Sequence, residues 1–184
     1  MGKRVSYSDE GIAFEVRIAV KKQLFALLFL PVWLAGWTIG GITAFKQVVS
    51  DTPTEARTFL IVWLLGWFLG EVFAVYTWCW MAFGKEIIRV GSGLMTVRRA
   101  IGTLGRSKTF QTMYISDLRA VGYFGNLRSL STNMAMLSIS GGTVAFDYQG
   151  KTHRFGIQLE EQEAREVVER LRPYLPESAA SEHP

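Results

Sequence analysis

The sequence has few of the residues on which disulfide bonds, metal sites and most catalytic centres depend. Cys79 is the single cysteine, so no disulfide can form within the chain. The two histidines, His153 and His183, have no second histidine or cysteine at the spacing of metal ligands. The phosphate-binding loop, the dinucleotide fingerprint and the hydrolase nucleophile elbow are also absent. We therefore expect no enzyme activity, no metal, no cofactor and no small-molecule substrate.

Charge is almost missing from two long stretches, residues 23–45 and 58–83. Each stretch exceeds the roughly 20 apolar residues that an α-helix needs to cross the hydrocarbon core of a bilayer. Residues 46–57 form a short link between them, so the sequence predicts an antiparallel transmembrane hairpin. The first stretch is longer than the apolar part of a signal peptide and a second one follows closely, which argues against cleavage.

Positive charge flanks the predicted hairpin much more densely than it occupies the link. Nine cations lie just before the first stretch or just after the second: Lys3, Arg4, Arg17, Lys21, Lys22, Lys85, Arg89, Arg98 and Arg99. The link carries only Lys46 and Arg57, with Asp51 and Glu55 beside them. The positive-inside rule then places both termini in the cytoplasm. We expect a multi-pass protein of the bacterial inner membrane.

An apolar phrase occurs twice in the hairpin, at residues 33–40 and again thirty positions later at residues 63–70. Each copy has two glycines four residues apart, Gly36 with Gly40 and Gly66 with Gly70, which share one helix face. Small residues let helix backbones approach closely in lipid. Either these faces pair the two helices with each other, or one of them docks a helix of another membrane protein. The two alternatives are compatible.

Three tryptophans lie deep in the predicted spans, where an indole N–H has no water to bond. They are Trp33, Trp37 and Trp67. A neighbouring protein subunit is the favoured partner for them. Contact with a pigment or a quinone is the alternative, although no histidine lies in the spans to ligate a haem or chlorophyll metal.

Glu71 is the single acidic residue within the two spans, near the middle of the second. A charged group at that depth costs roughly 3 kcal/mol, so we expect it to be neutral or paired. It either provides a polar contact to a partner helix or a proton site, or it is a neutral acid bonded to Thr38, Thr43 or a backbone carbonyl.

The rest of the chain has the patterns of a small α+β domain. Residues 12–20 alternate between apolar and polar, which is typical of a half-buried strand. From residue 84 onward, turn residues separate short β-rich runs that predict strands at residues 86–90, 94–101, 108–115, 118–124, 134–139, 143–148 and 151–158. Residues 160–172 form a helix with one apolar stripe. We expect a small antiparallel barrel or sandwich capped by the C-terminal helix. The predicted organisation is an N-terminal arm whose strand packs on this domain (1–22), the hairpin (23–83), the soluble domain (84–175) and a disordered tail (176–184).

Two segments resemble bacterial pleckstrin-homology-like domains that follow transmembrane hairpins. The first is Gly84-Lys-Glu-Ile-Ile-Arg-Val-Gly-Ser-Gly-Leu94, and the second is Arg154-Phe-Gly-Ile-Gln-Leu159 with the apolar positions of the helix after it. The resemblance covers residues 84–175. It implies a seven-stranded barrel capped by a helix and brings no catalytic residues. The chain also has a distant likeness to assembly proteins of bacterial photosynthetic complexes.

A group of cations lies near the start of the soluble domain: Arg98, Arg99, Arg106 and Lys108. Cations next to an anionic leaflet contribute about 1 kcal/mol each, so this group predicts a contact with membrane lipids. The alternative is a solvated strand edge. Nucleic acid is disfavoured because the group is short and acidic residues surround it.

These patterns predict a non-enzymatic accessory subunit or assembly factor of a larger bacterial membrane complex, with photosynthetic and respiratory complexes as candidates. The hairpin would dock laterally on other integral membrane subunits. The alternative function is a scaffold that binds the membrane surface through its basic soluble domain.

Overall fold

The computed structural model describes residues 4–9, 11–50, 53–121 and 142–179. The chain divides into two compact units. Residues 22–82 form the helical unit, and residues 1–21 with 83–184 form the sheet unit.

The helical unit consists of two long apolar helices, α1 (Leu24–Val49) and α2 (Thr54–Phe83). Both are long and apolar enough to cross a membrane, by length and composition. Both helices extend into the predicted link. At the end of α1, Ser50 donates its backbone N–H to the carbonyl of Lys46. Pro53 stands just before α2, and its carbonyl accepts the N–H of Arg57. No residue of α1 is buried, and in α2 only Trp80 is.

One stripe of half-buried residues runs along each helix, and we call the two stripes the hairpin seam. Successive members are alternately four and three residues apart, which is the spacing of a packed helix pair. The stripe of α2 repeats that of α1 thirty positions later. The seam consists of Leu30, Leu34, Trp37, Gly41, Ala44 and Val48 in α1, and of Leu60, Leu64, Trp67, Glu71, Ala74 and Trp78 in α2. The duplicated sequence thus supplies both sides of one contact.

The first part of the sheet unit is a five-stranded antiparallel sheet whose strands follow one another in chain order. The strands are β1 (Val5–Asp9), β2 (Ala13–Ala19), β3 (Gly84–Gly91), β4 (Leu94–Ile101) and β5 (Leu104–Gln111). The alternating segment predicted at residues 12–20 corresponds to β2, which pairs along its whole length with β3. The two segments that flank the helical unit in sequence are therefore neighbours in one sheet.

The second part is a three-stranded antiparallel sheet followed by a helix. The elements are β6 (Ile115–Ala120), β7 (Val144–Tyr148), β8 (Lys151–Phe155) and α3 (Glu161–Leu171). Reciprocal hydrogen bonds between Glu160 and Glu163 cap the start of α3. The helix buries one apolar stripe in a core that it shares with both sheets: Ala164, Val167, Val168 and Leu171. The layout is two long apolar helices, antiparallel sheets and a C-terminal helix.

Two sequence-based boundaries need correction. The tail predicted to be disordered from residue 176 contains a short 3-10 turn at Glu177–Ala179. Two contacts hold this turn: Ala179 is buried in the core, and the hydroxyl of Ser178 donates to the carbonyl of Ile115. The strand predicted at residues 108–115 begins earlier, at Leu104, because β5 pairs with the whole of β4. The strand predicted at residues 134–139 lies outside the described residues.

Candidate functional site: an indole ladder in the helical hairpin

Four tryptophans form a continuous ladder between the two helices. The ring centroids of Trp33 and Trp37 lie 4.4 Å apart, those of Trp37 and Trp67 4.0 Å apart, and those of Trp67 and Trp63 4.4 Å apart. The central pair, Trp37 and Trp67, is stacked across the seam. Stacked aromatic pairs stabilise by about 0.5–1.5 kcal/mol beyond the area they bury. The ladder thus joins α1 to α2 where the duplicated phrases face each other.

Hydrogen bonds across the ladder are reciprocal. Nε1 of Trp37 donates to the backbone carbonyl of Trp67 at 3.4 Å, and Nε1 of Trp67 donates to the carbonyl of Trp37 at 3.3 Å. Further along the seam, Nε1 of Trp78 donates to the carbonyl of Leu27 at 3.1 Å. The two central indoles therefore bond within the hairpin. A pigment or a quinone is not required to satisfy them.

The four sequence-predicted glycines separate into two pairs. A Cβ atom added to Gly40 would lie 3.3 Å from the ring of Trp67, and one added to Gly70 would lie 3.6 Å from the ring of Trp37. Gly36 and Gly66, in contrast, have no atom within 4 Å of the position a Cβ would take. Each copy of the phrase thus has one glycine that admits a tryptophan from the other helix and one that leaves open space.

Glu71 bonds within the hairpin to Thr38, one of the three partners that the sequence suggested. The Thr38 hydroxyl also lies 2.9 Å from the carbonyl of Leu34, as a donor. The same hydroxyl donates to Oε1 of Glu71, so it is shared between two acceptors. Thr43 instead donates to the carbonyl of Ile39 at 2.8 Å. The side-chain hydrogen bond between Thr38 and Glu71 therefore joins α1 to α2.

The predicted basic cluster does not form a single surface. Arg99 pairs with Arg106, and Val97 pairs with Lys108, across β4 and β5. Arg99, Arg106 and Lys108 therefore lie on the side of the sheet that faces the core, whereas Arg98 lies on the other side. The guanidinium group of Arg99 is occupied, because its Nε donates to Oε1 of Glu86 at 3.0 Å. A contact that uses all four cations on one flat membrane surface is incompatible with this alternation.

Glu86 is a buried carboxylate that the sequence analysis did not single out. Only 2% of it is exposed, and its Oε2 accepts the backbone N–H groups of Gly156 at 2.7 Å and Ile157 at 3.1 Å. It thereby ties β3 of the larger sheet to the segment after β8. The sequence could have indicated this residue, because Glu86 is an acid on the same face of an alternating strand as Ile88 and Val90.

The described residues of the sheet unit offer little that could hold a ligand. His153 packs against the rings of Phe110 and Phe146, and burial, followed by the charges of Lys108 and Lys151, lowers its pKa below the usual value. Across the described part of the chain, no three His, Cys, Asp or Glu side chains are grouped so that they could hold a metal ion.

A shallow cleft of about 480 Å³ is lined by Tyr7, Asp9, Phe14, Arg170, Pro173 and Tyr174. Its polar groups bond to each other: the hydroxyl of Tyr174 donates to Asp9 at 2.8 Å, and the guanidinium of Arg170 lies 4.2 Å above the ring of Tyr7. Burial, with the nearby charge of Glu166, raises the pKa of Tyr7 to about 12. Because these lining groups contact each other, we assign no ligand to the cleft.

Neither protein-family models nor curated proteins yield a match to this chain. The resemblance to pleckstrin-homology-like domains stays a prediction.

Proposed function

We propose that this protein is a non-enzymatic accessory subunit or assembly factor of a bacterial membrane complex. In this proposal the helical unit is a transmembrane hairpin of the inner membrane and docks on the helices of partner subunits. The sheet unit is a pleckstrin-homology-like domain on the cytoplasmic side. The density of cations around the hairpin supports this orientation.

The exposure of the two helices is the observation that carries the proposal. Large apolar side chains point outward along their length, among them Leu24, Phe25, Val32, Phe68 and Leu69. A core helix of a soluble protein would bury such side chains, yet no part of the apolar windows is buried here. Apolar surface in water costs roughly 25 cal/mol per Å², so a hydrocarbon environment suits these helices and water does not. This favours insertion in a bilayer.

Open glycine positions support lateral docking. Gly36 and Gly66 are exposed, and neither is needed to accommodate an indole of the ladder. Helices in lipid associate through close packing at small residues, because lipid tails are as apolar as the side chains. Gly36 and Gly66 are therefore positions at which a partner helix can approach the hairpin without disturbing the seam.

Replacing Gly36 or Gly66 with Leu is expected to reduce recovery of partner proteins by about tenfold. The added side chain holds the partner helix away, and inserting bulk into a packed contact costs about 1–3 kcal/mol. The measurement is quantitative mass spectrometry of proteins that co-purify with the tagged chain in mild detergent. The amount of inserted protein is measured in parallel, so that loss of partners is separated from loss of the chain.

Ala35→Leu is the matched control, since Ala35 is also exposed. This substitution adds the bulk one residue away, on a different side of the helix. It should leave partner recovery unchanged. Normal recovery with both Gly36→Leu and Gly66→Leu, in a chain that inserts normally, would show that these positions face lipid. The docking proposal would then fail.

A further inference from the structure

The side of the five-stranded sheet that faces away from the core, which we call the outer face, is basic. Strand pairing places four cations there: Arg17 on β2, Lys85 and Arg89 on β3, and Arg98 on β4. Glu15 is the one acid at an outward position of the five described strands, and it pairs with Arg17. Four cations and one acid give the outer face a net charge of +3. Lys85, Arg89 and Arg98 are all exposed.

The relief of the outer face is low. Next to Arg98, Gly105 and Ser107 are small and exposed, Ala100 is buried, and the hydroxyls of Thr96 and Thr109 approach each other at 3.3 Å. These short side chains make the exposed part of the face flat. It presents no aromatic ring at its outward strand positions, whereas proteins that bind single-stranded nucleic acid stack bases on exposed aromatics. Its shape and charge fit an extended anionic plane.

Chain connectivity limits how far Lys85 can lie from the end of α2. β3 begins at Gly84, directly after Phe83 ends α2, and Lys21 and Lys22 lie between β2 and α1. Lys85 is two residues beyond α2, which is about 7 Å of extended chain. The attraction of an anionic leaflet extends over a Debye length of about 8 Å. A hairpin that spans the bilayer therefore keeps Lys85 within reach of the lipid headgroups.

We propose that the outer face of the five-stranded sheet binds the anionic surface of the bilayer in which the hairpin is inserted, through Lys85, Arg89 and Arg98. This inference rests on the proposed function for the insertion of the hairpin. It differs from the contact that the sequence suggested, because Arg99, Arg106 and Lys108 lie on the opposite side of the sheet. Arg98 is common to both sets.

The test places a nitroxide spin label on the outer face of the full-length chain. Ser107 is exposed on β5 opposite Arg98 and is replaced by Cys in a Cys79→Ser background. The control label is at Gln162→Cys, which is exposed on α3, on the core side of the sheet. The proteins are reconstituted in vesicles of phosphatidylcholine, with and without phosphatidylglycerol, that contain a lipid with nickel chelated at its headgroup. Relaxation enhancement by the nickel then reports headgroup contact.

We expect strong enhancement at Ser107→Cys in the vesicles that contain phosphatidylglycerol, weak enhancement in phosphatidylcholine alone, and little at Gln162→Cys in either. Adding Arg89→Gln and Arg98→Gln should lower the ratio of lipid-bound to free sheet about 30-fold, since each cation contributes about 1 kcal/mol at an anionic surface. The matched pair Arg106→Gln with Lys108→Gln removes the same charge from the other side and should leave the ratio unchanged.

Resistance of the chain to carbonate extraction is measured on the same vesicles. Suppose that the chain resists carbonate extraction, but phosphatidylglycerol does not change the enhancement at Ser107→Cys, or both pairs of charge substitutions reduce it equally. Either result overturns the lipid-surface inference and leaves the proposed function standing. A chain that carbonate removes overturns the proposed function and this inference with it.

Discussion

Replacing Glu86 with Ala should lower the free energy of unfolding of the sheet unit by about 3 kcal/mol. The change removes the acceptor of two buried backbone N–H groups, those of Gly156 and Ile157, and each unsatisfied buried group costs about 1–3 kcal/mol. It also leaves Arg99 without its carboxylate, although one third of that side chain is exposed and reaches water. The desolvated N–H groups therefore dominate the loss.

Hydrogen exchange of the full chain in detergent measures this effect where it arises. The peptide that contains Gly156 and Ile157 should exchange about a hundredfold faster in Glu86→Ala, because 3 kcal/mol corresponds to roughly two powers of ten. Glu161→Gln is the control: its partner is Arg165 in an exposed pair on one helix turn, which contributes only about 0.3–0.5 kcal/mol. Exchange that is equally slow in both variants would show that Glu86 does not join β3 to the segment after β8.

Gly40→Leu is expected to separate the two helices of the hairpin, whereas Gly36→Leu should not. A Cβ at position 40 already lies 3.3 Å from the ring of Trp67, so the larger side chain of Leu should push that ring away. Overpacking of this kind costs about 1–3 kcal/mol. At position 36 the same side chain enters open space. The two variants add the same atoms one helical turn apart in the same phrase.

The stacked indoles provide the measurement. Trp37 and Trp67, with ring centroids 4.0 Å apart, should produce an exciton couplet in the circular dichroism of the detergent-solubilised chain. All variants are made in a Trp33→Phe, Trp63→Phe background, which removes the coupling of these two rings with Trp37 and Trp67. In that background Gly40→Leu should abolish most of the couplet, Gly36→Leu should preserve it, and Trp67→Phe defines the signal without the stacked pair. A couplet that survives in Gly40→Leu would contradict the ladder as the contact between the helices.

The helical unit was largely predictable from the sequence, because its information is local. Two long runs without charge predict two long helices, and a phrase repeated after thirty residues places equivalent side chains on each. The pattern did not predict which glycines contact the other helix and which are open. Gly36 and Gly40 are equivalent by spacing, and only the position of Trp67 on the other helix makes one a contact and leaves the other open.

The sheet unit was less predictable because its decisive contacts join residues far apart in sequence. The strand at 12–20 followed from its alternation, but β1 is short and half polar, so its pairing with β2 had no clear sequence signal. The group of cations at 98–108 looked continuous in sequence, yet alternation along β4 and β5 sends Arg98 to one side and Arg99 to the other. Glu86 meets its partners seventy residues later, at Gly156 and Ile157.

The central claim, that the helical unit is a membrane-spanning hairpin with the sheet unit on the cytoplasmic side, is tested most directly by cysteine labelling in intact cells. In a Cys79→Ser background, single cysteines replace Ser50, at the end of α1, and Gln162, which is exposed on α3. A membrane-impermeant maleimide should label Ser50→Cys in intact cells and Gln162→Cys only after the membrane is permeabilised. Labelling of Gln162→Cys from outside, or protection of both sites until permeabilisation, would contradict the proposed hairpin and its orientation.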